Sequence, residues 1–266
     1  LLEKAGAGNY FIKVAFALLG HLKGGPAKAA VVASGMTGLI SGSSIANTVT
    51  TGTFTIPLMK RVGYTSEQAG AVEVSASVNG QIMPPVMGAA AFLMVEYVGI
   101  TYVEVITHAL LPAVITYIAL FYIVHLEAMK GNMEGLPKRN PSTFLQSLFS
   151  FGITVSSLII LSAAIYYGIG WTREAFGPVA TYIVGIAVVV AYLGLLWISA
   201  RVPELELDDP SSPLLELPEA RPTLLSGLHF ILPLIILIWA LIVERLSPGL
   251  SAFYAVTFMI FIMLTQ

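Results

Sequence analysis

Residues 29–59 read AAVVASGMTGLISGSSIANTVTTGTFTIPLM, 31 positions without an Asp, Glu, Lys or Arg. A charge-free stretch of this length points to the bilayer, where about 20 apolar residues cross a hydrocarbon core of about 30 Å. The make-up is wrong for an ordinary crossing: 11 of the 31 residues are Ser, Thr or Asn, four are Gly, and the polar ones crowd the middle. One continuous helix would measure about 46 Å, too long without strong tilt, and two halves would measure about 20 Å each, too short to cross. Both flanks are basic, with Lys23 and Lys28 before and Lys60 and Arg61 after. Since Lys and Arg favour the cytoplasmic side, a segment that returns to the side it entered satisfies both flanks, and a single crossing does not. A re-entrant helical hairpin entered from the cytoplasm is expected over 26–65, its tip near residues 42–47.

The next charge-free stretch, VSASVNGQIMPPVMGAAAFLMV at 74–95, is interrupted too, by Asn79-Gly80-Gln81 and Pro84-Pro85. A proline removes an amide donor and bars the residue before it from helical angles. The first half is therefore expected to end between Asn79 and Met83, and Pro84 suits the first turn of a second half. Five further stretches lack charge, at 105–126, 140–172, 175–200, 222–243 and 246–266. With 56% hydrophobic and 11% charged residues among 266, against about 25% charged in soluble domains, the fold class is an all-α polytopic membrane protein with a re-entrant hairpin and a broken transmembrane helix.

Threading these segments sorts the basic residues. Lys23, Lys28, Lys60, Arg61, Lys130, Lys138, Arg139, Arg201 and Arg221 fall on one face and only Arg173 and Arg245 on the other, as the positive-inside rule requires. The expected order begins with an interfacial arm helix and entry over 1–25, favoured because Tyr10 to Leu22 is short and mostly apolar on one face. The hairpin over 26–65 and the broken helix over 66–99 follow. A transmembrane helix over 100–127, kinked at Pro112, leads to a cytoplasmic loop over 128–148 and two transmembrane helices over 149–200. An acidic Pro-rich cytoplasmic loop over 201–222 precedes two transmembrane helices over 223–266, the last truncated. A start at Leu1 and a stop at Gln266 inside an apolar run read as an internal fragment of a longer protein.

Several chemistries find no residues to carry them. The chain has no Cys and a net charge of −2, so disulfides, thiol nucleophiles and nucleic-acid partners have no support. His21, His108, His125 and His229 show no metal-ligand spacing, and no nucleotide or hydrolase motif is present. No cofactor and no metal other than a coupling ion is expected. Non-helical backbone inside a membrane is tolerated only where protein buries it or water reaches it, so the hairpin tip and the helix break should face one another. Freed carbonyls at such breaks coordinate cations and helix starts attract anions. Carbonyl and hydroxyl oxygens around Ser41, Ser43, Ser44 and Asn47, opposite Asn79, Gly80 and Met83, are neutral and few, which suits sodium better than a divalent ion. Glu73 lies inside the first half of the broken helix, where an ionised carboxylate is costly and can mark a proton or ion path; a water-exposed or amide-paired carboxylate near the cytoplasmic side is the favoured reading. Close packing alone would also account for Gly38 and Gly42 in their GxxxG spacing.

The run GHLKGGPAKAAVVASGMTGLISGSSIANTVTTGTFTIPLMKRVGYTSEQAGAVEVSASVNGQIMPPVMGAAAFLMVEYVGI, from Gly20 to Ile100, resembles the membrane component of tripartite ATP-independent periplasmic (TRAP) transporters. It is most similar to fused permeases that join the small and large membrane subunits and work with a TAXI-type binding protein. NGQIMPP stands where stand-alone large subunits commonly have GPIIPP, which points to the fused type. The resemblance implies a partial chain of an elevator-type, inverted-repeat transporter in a bacterial or archaeal cytoplasmic membrane. It would import small organic acids with sodium as coupling ion, supplied by an extracytoplasmic solute-binding protein, with the small-subunit region fused upstream. By the same resemblance sodium would bind at Ser41, Ser43, Ser44, Asn47, Asn79, Gly80, Met83 and Pro84. Substrate would meet Ser44, Asn47, Thr48, Asn79 and Gln81. Two rivals remain: a dicarboxylate or citrate-type anion permease without a binding protein, and an intramembrane hydrolase using Ser43 or Ser44, which lacks a base nearby.

Overall fold

A computed structural model describes residues 6–136, 156, 167–168, 171–172, 174–202, 217–244 and 246–265. Most of the first of the two helices expected over 149–200, and residues 203–216 of the acidic loop, lie outside them. The chain divides into two compact units, one of Leu1–Pro137 with Ser199–Gln266 and one of Lys138–Ile198. All described regular structure is helical.

In the first unit, α1 (Ala7–Leu19) packs on α2 (Gly25–Ser41) and buries Tyr10, Phe11, Ile12, Val14, Ala15 and Phe16. That is nearly its whole circumference, so α1 is packed inside the protein more fully than a helix with one apolar face. Gly42 ends α2 at φ +60°, a left-handed conformation that costs other L-residues about 1–2 kcal/mol. Ser43 returns to extended backbone, and its hydroxyl accepts the Ala46 amide at 3.3 Å, capping α3 (Ser44–Arg61). Two residues thus suffice to fold α3 back along α2, a Gly for the stop and a Ser for the start.

Helix α4 (Ser66–Gly80) begins with a capping box, in which Thr65 Oγ1 accepts the Gln68 amide and Gln68 Oε1 accepts the Thr65 amide. It lies against both α2 and α3. Ala27, Ala30, Ala69 and Ala76 are fully buried at this junction, and small side chains let the three backbones approach closely. Residues 81–88 are not helical, and α5 (Ala89–Val98) follows with Gly88 as its N-cap. Pro84 therefore does not open the second half-helix as expected. It is buried in the connection, in a cis peptide with Pro85, and Met87 takes φ +57° before Gly88 returns to extended angles. Pro85 bars the residue before it, Pro84, from helical angles, so helix resumes only after the pair.

Helix α6 (Tyr102–Lys130) opens with a second capping box, Thr101 with Glu104, and runs through Pro112 as one 29-residue element. In the second unit, a 3-10 turn at Gly177–Val179 leads into α7 (Ala180–Ser199). The first unit resumes with α8 (Ala220–Ser226), a 3-10 turn at Leu228–Ile231, α9 (Leu232–Ile238), a π-helical turn at Trp239–Val243 and α10 (Pro248–Thr265). Among the described residues, three helices are long and apolar enough to cross a bilayer: Tyr102–Lys130, Tyr182–Ser199 and Pro248–Thr265. A fourth span is formed if Ala220–Ser226 and Leu228–Leu241, bent by 57°, are taken together. The segment near His229 was expected to be a plain rod. Gly227 interrupts it, and Pro233 sits in the first turn of α9, where a missing amide is no loss.

Candidate functional site

The hairpin tip closes on the helix break through glycines. A Cβ on Gly38 would lie 2.7 Å from the Gly80 Cα, so α2 and α4 touch backbone to backbone at the last residue of α4. A Cβ on Gly42 would collide with the Met87 carbonyl oxygen, and one on Gly88 would stand 3.5 Å from the Gly42 carbonyl oxygen. The two interruptions therefore share one surface, with Gly42 set against Met87 and Gly88. This is the contact expected from the cost of bare peptide groups in a membrane.

Asn47 ties the two arms of the hairpin together. It is 1% exposed, lies in the first turns of α3, and its Nδ2 donates to both the carbonyl and the hydroxyl of Ser34 on α2, each at 2.9 Å. Only an N–H can face a carbonyl, so the amide orientation is fixed and Oδ1 points the other way. Among the described residues no donor reaches that oxygen. A buried acceptor without a donor costs about 1–3 kcal/mol, and a small cation would remove the penalty. A Cβ on Gly80 would come 3.4 Å from Asn47 Nδ2, so this amide also sits beside the end of α4.

The remaining site residues divide by what their polar atoms already do. Ser43 spends its hydroxyl as an N-cap, and Ser41 donates to the Ser43 carbonyl at 3.4 Å. The Asn79, Gly80 and Gln81 carbonyls each accept one turn amide, from Ile82 at 3.2 Å, Met83 at 3.3 Å and Gly88 at 2.7 Å. Each keeps one lone pair for a ligand. Ser44, Thr48 and Gln81 are half-buried, and Ser44 stands at the first position of α3, where the backbone amide has no partner within the helix. Pro84 is buried.

Two groups of residues escaped the sequence reading. Tyr102 of α6 donates its hydroxyl to the Val86 carbonyl at 2.6 Å, with the Pro85 carbonyl 3.0 Å away, and its ring stacks on Phe92 at 5.1 Å. It ties the break to the neighbouring helix. Tyr102→Phe is expected to cost about 1–2 kcal/mol by leaving these carbonyls unpaired, read as a lower thermal unfolding midpoint of the full-length protein in detergent. An unchanged midpoint would show that the hydroxyl holds nothing.

The second group surrounds Glu73, which is fully buried rather than open to water. Its Oε1 takes the Thr51 hydroxyl and, at 3.3 Å, the Ser77 hydroxyl, and its Oε2 takes the Thr55 hydroxyl at 2.5 Å. Burial follows from α3 facing α4 with Asn47, Thr51 and Thr55 in line. Their spacing of four residues, matched by Glu73 and Ser77, was the legible signal.

Residues 1–202 match the family described as the tripartite ATP-independent periplasmic transporter, DctM component. The chain is 29% identical over 184 residues to the C4-dicarboxylate TRAP transporter large permease protein DctM of Vibrio cholerae, covering 68% of this chain and 40% of that protein. It is 25% identical to the ectoine/5-hydroxyectoine TRAP transporter large permease protein UehC of Ruegeria pomeroyi, over 71% of this chain and 43% of the relative. It is 26% identical to the isethionate TRAP transporter permease protein DctMQ of Oleidesulfovibrio alaskensis, over 66% of this chain and 28% of the relative. The chain thus spans less than half the length of these relatives.

Proposed function

Because the chain belongs to the DctM component family of TRAP transporters, we propose that the full-length protein imports small organic acids by coupling their entry to sodium. The family is one of multi-pass inner-membrane permeases and not of enzymes. The observation that carries the coupling is the buried, donor-free Oδ1 of Asn47 beside the end of α4. A neutral amide oxygen with the spare carbonyl lone pairs at Asn79 and Gly80 suits a dehydrated monovalent ion. Ser41, Ser43, Met83 and Pro84 frame that ion. The amide-rich start of α3 at Ser44, with Asn47, Thr48, Asn79 and Gln81, offers a carboxylate its donors.

The cargo is a small carboxylate or a similar polar anion. The relatives' names carry a C4-dicarboxylate, a sulfonate and a zwitterionic ectoine, so the pocket chemistry is shared more widely than any one substrate. Delivery falls to an extracytoplasmic solute-binding protein of the TAXI type, with the small-subunit region fused upstream. The NGQIMPP sequence at the break supports that type. The hairpin and the first half of the broken helix would travel together as part of an elevator against a fixed scaffold.

The test is uptake of labelled succinate and isethionate by proteoliposomes holding the full-length permease. Accumulation is expected only with both an inward sodium gradient and the binding protein. Uptake unchanged when choline replaces sodium would refute the coupling. Uptake without the binding protein would support the simpler anion permease.

A further inference from the structure

Among the described residues, the buried carboxyl of Glu73 has no cationic partner, and only hydroxyls bond to it. Isolated buried charge is disfavoured, so intramembrane carboxylates pair with a cation, take up a proton or serve an ion path. The elements packed on α4 are α2, α3 and α6. On α2 the one charged group is Lys28, held by His125 Nδ1 of α6 at 2.9 Å and set over the Phe121 ring. On α3 the charged groups are Lys60 and Arg61 in the last turn, and on α4 itself there is only the exposed Glu67. On α6, Tyr117 donates to the Ala76 carbonyl at 3.1 Å, Tyr102 to the break, and Glu127 accepts from Gln68. Glu104 caps its own helix, His108 and Lys130 are exposed, and Tyr122 is 60% exposed. Among the described residues no Lys, Arg or His side chain bonds to Glu73, and its partners are hydroxyls alone.

Hydroxyls differ from fixed cations in one respect. Each has a single proton and rotates to suit its neighbours. Thr51 Oγ1 sits between the Asn47 carbonyl at 2.8 Å and Glu73 Oε1. Thr55 Oγ1 sits between the Thr51 carbonyl at 3.0 Å and Glu73 Oε2. If the carboxyl is ionised, both threonine protons turn onto it. If it is neutral, its own proton goes to one threonine oxygen, and that threonine's proton turns to the carbonyl one helical turn back. Both states are satisfied without moving a heavy atom. Ser77 continues the chain of hydroxyls to Ser34 at 3.2 Å, and Ser34 receives Asn47 Nδ2. The carboxyl is thereby linked, bond by bond, to the amide beside the proposed cation.

We propose that the Glu73 carboxyl, enclosed by Thr51, Thr55 and Ser77, is a second coupling site that binds and releases a proton during transport. It rests on the transport reading above and adds a proton to the sodium. Full burial holds the proton from exchange in this conformation, as a coupled ion must be held while cargo moves. Both carboxyl oxygens already have hydroxyl partners, so a proton fits this enclosure without displacing any of them.

Infrared difference spectra of the detergent-solubilised full-length permease, recorded between acidic and alkaline buffer, read the site independently of transport. A neutral-carboxyl C=O band that grows on acidification and is absent in Glu73→Gln is expected. The proposal is overturned by a band missing in the wild type, a band unchanged across the range, or a band removed by sodium at constant pH, which would make Glu73 a sodium ligand. In proteoliposomes with the binding protein, a fixed sodium gradient and a clamped membrane potential, succinate accumulation is the second readout. An inward pH gradient of one unit is expected to raise it about tenfold for one coupled proton, equivalent to about 1.4 kcal/mol, and to have no such effect in Glu73→Gln. A wild-type accumulation that ignores the gradient, alongside sodium-driven uptake, overturns the proposal and leaves the sodium reading intact. Absence of sodium-driven uptake removes the sodium reading, and the spectra still decide whether Glu73 titrates.

Discussion

Gly42→Val in the full-length permease is expected to abolish sodium-dependent uptake while the protein still inserts in the membrane. Two penalties act at one position. Gly42 has φ +60°, where a β-branched residue is a steric outlier and the left-handed backbone alone costs about 1–2 kcal/mol. Its Cβ would also strike the Met87 carbonyl oxygen, which is backbone and cannot swing aside as a side chain would. The tip must then lift from the break, opening the shared surface. Uptake assays paired with quantification of the membrane fraction check this, and Gly42→Ala should give a smaller loss in the same direction. Near-normal uptake by the valine variant would mean that the tip need not close on the break.

The second large effect is expected from Asn47→Leu, which keeps the side-chain bulk and removes both polar atoms. Ser34 loses the amide that reaches its carbonyl and hydroxyl, and the proposed cation would lose the buried oxygen offered to it. The sodium concentration for half-maximal uptake should rise by at least about tenfold, the equivalent of about 1.4 kcal/mol of binding. Folding loses a further 1–3 kcal/mol, on the order expected for an orphaned buried group. Sodium titration of uptake separates the two, because instability lowers the maximal rate without moving the midpoint. An unmoved midpoint would remove Asn47 from the ion's surroundings.

These expectations depend on features that sequence exposes unequally. The fold-back at 42–43 was legible because Gly supplies the left-handed stop and Ser the cap, both local requirements. The end of α4 was legible because Pro84 and Pro85 forbid its continuation. Where helix resumes was not, since Pro84 alone suits a first turn while Pro85 after it bars helical angles there, and Tyr102 holds the intervening carbonyls from another helix. Glu73 was misread because burial is a property of three helices together. Its hydroxyl partners lie 18 and 22 residues away on α3 and four away on α4. The bend near Gly227 was hidden by an apolar composition that suits a straight rod equally well, and most of the first helix expected over 149–200 falls outside the described residues.

A cryo-electron microscopy map of the full-length permease in saturating sodium, compared with one in choline, tests the closed tip and break most directly. A density beside Asn47 Oδ1, between the start of α3 and the end of α4, should appear in sodium and vanish in choline. A tip that stands away from residues 81–88 in both maps, or an ion density elsewhere with none at Asn47, would contradict the account.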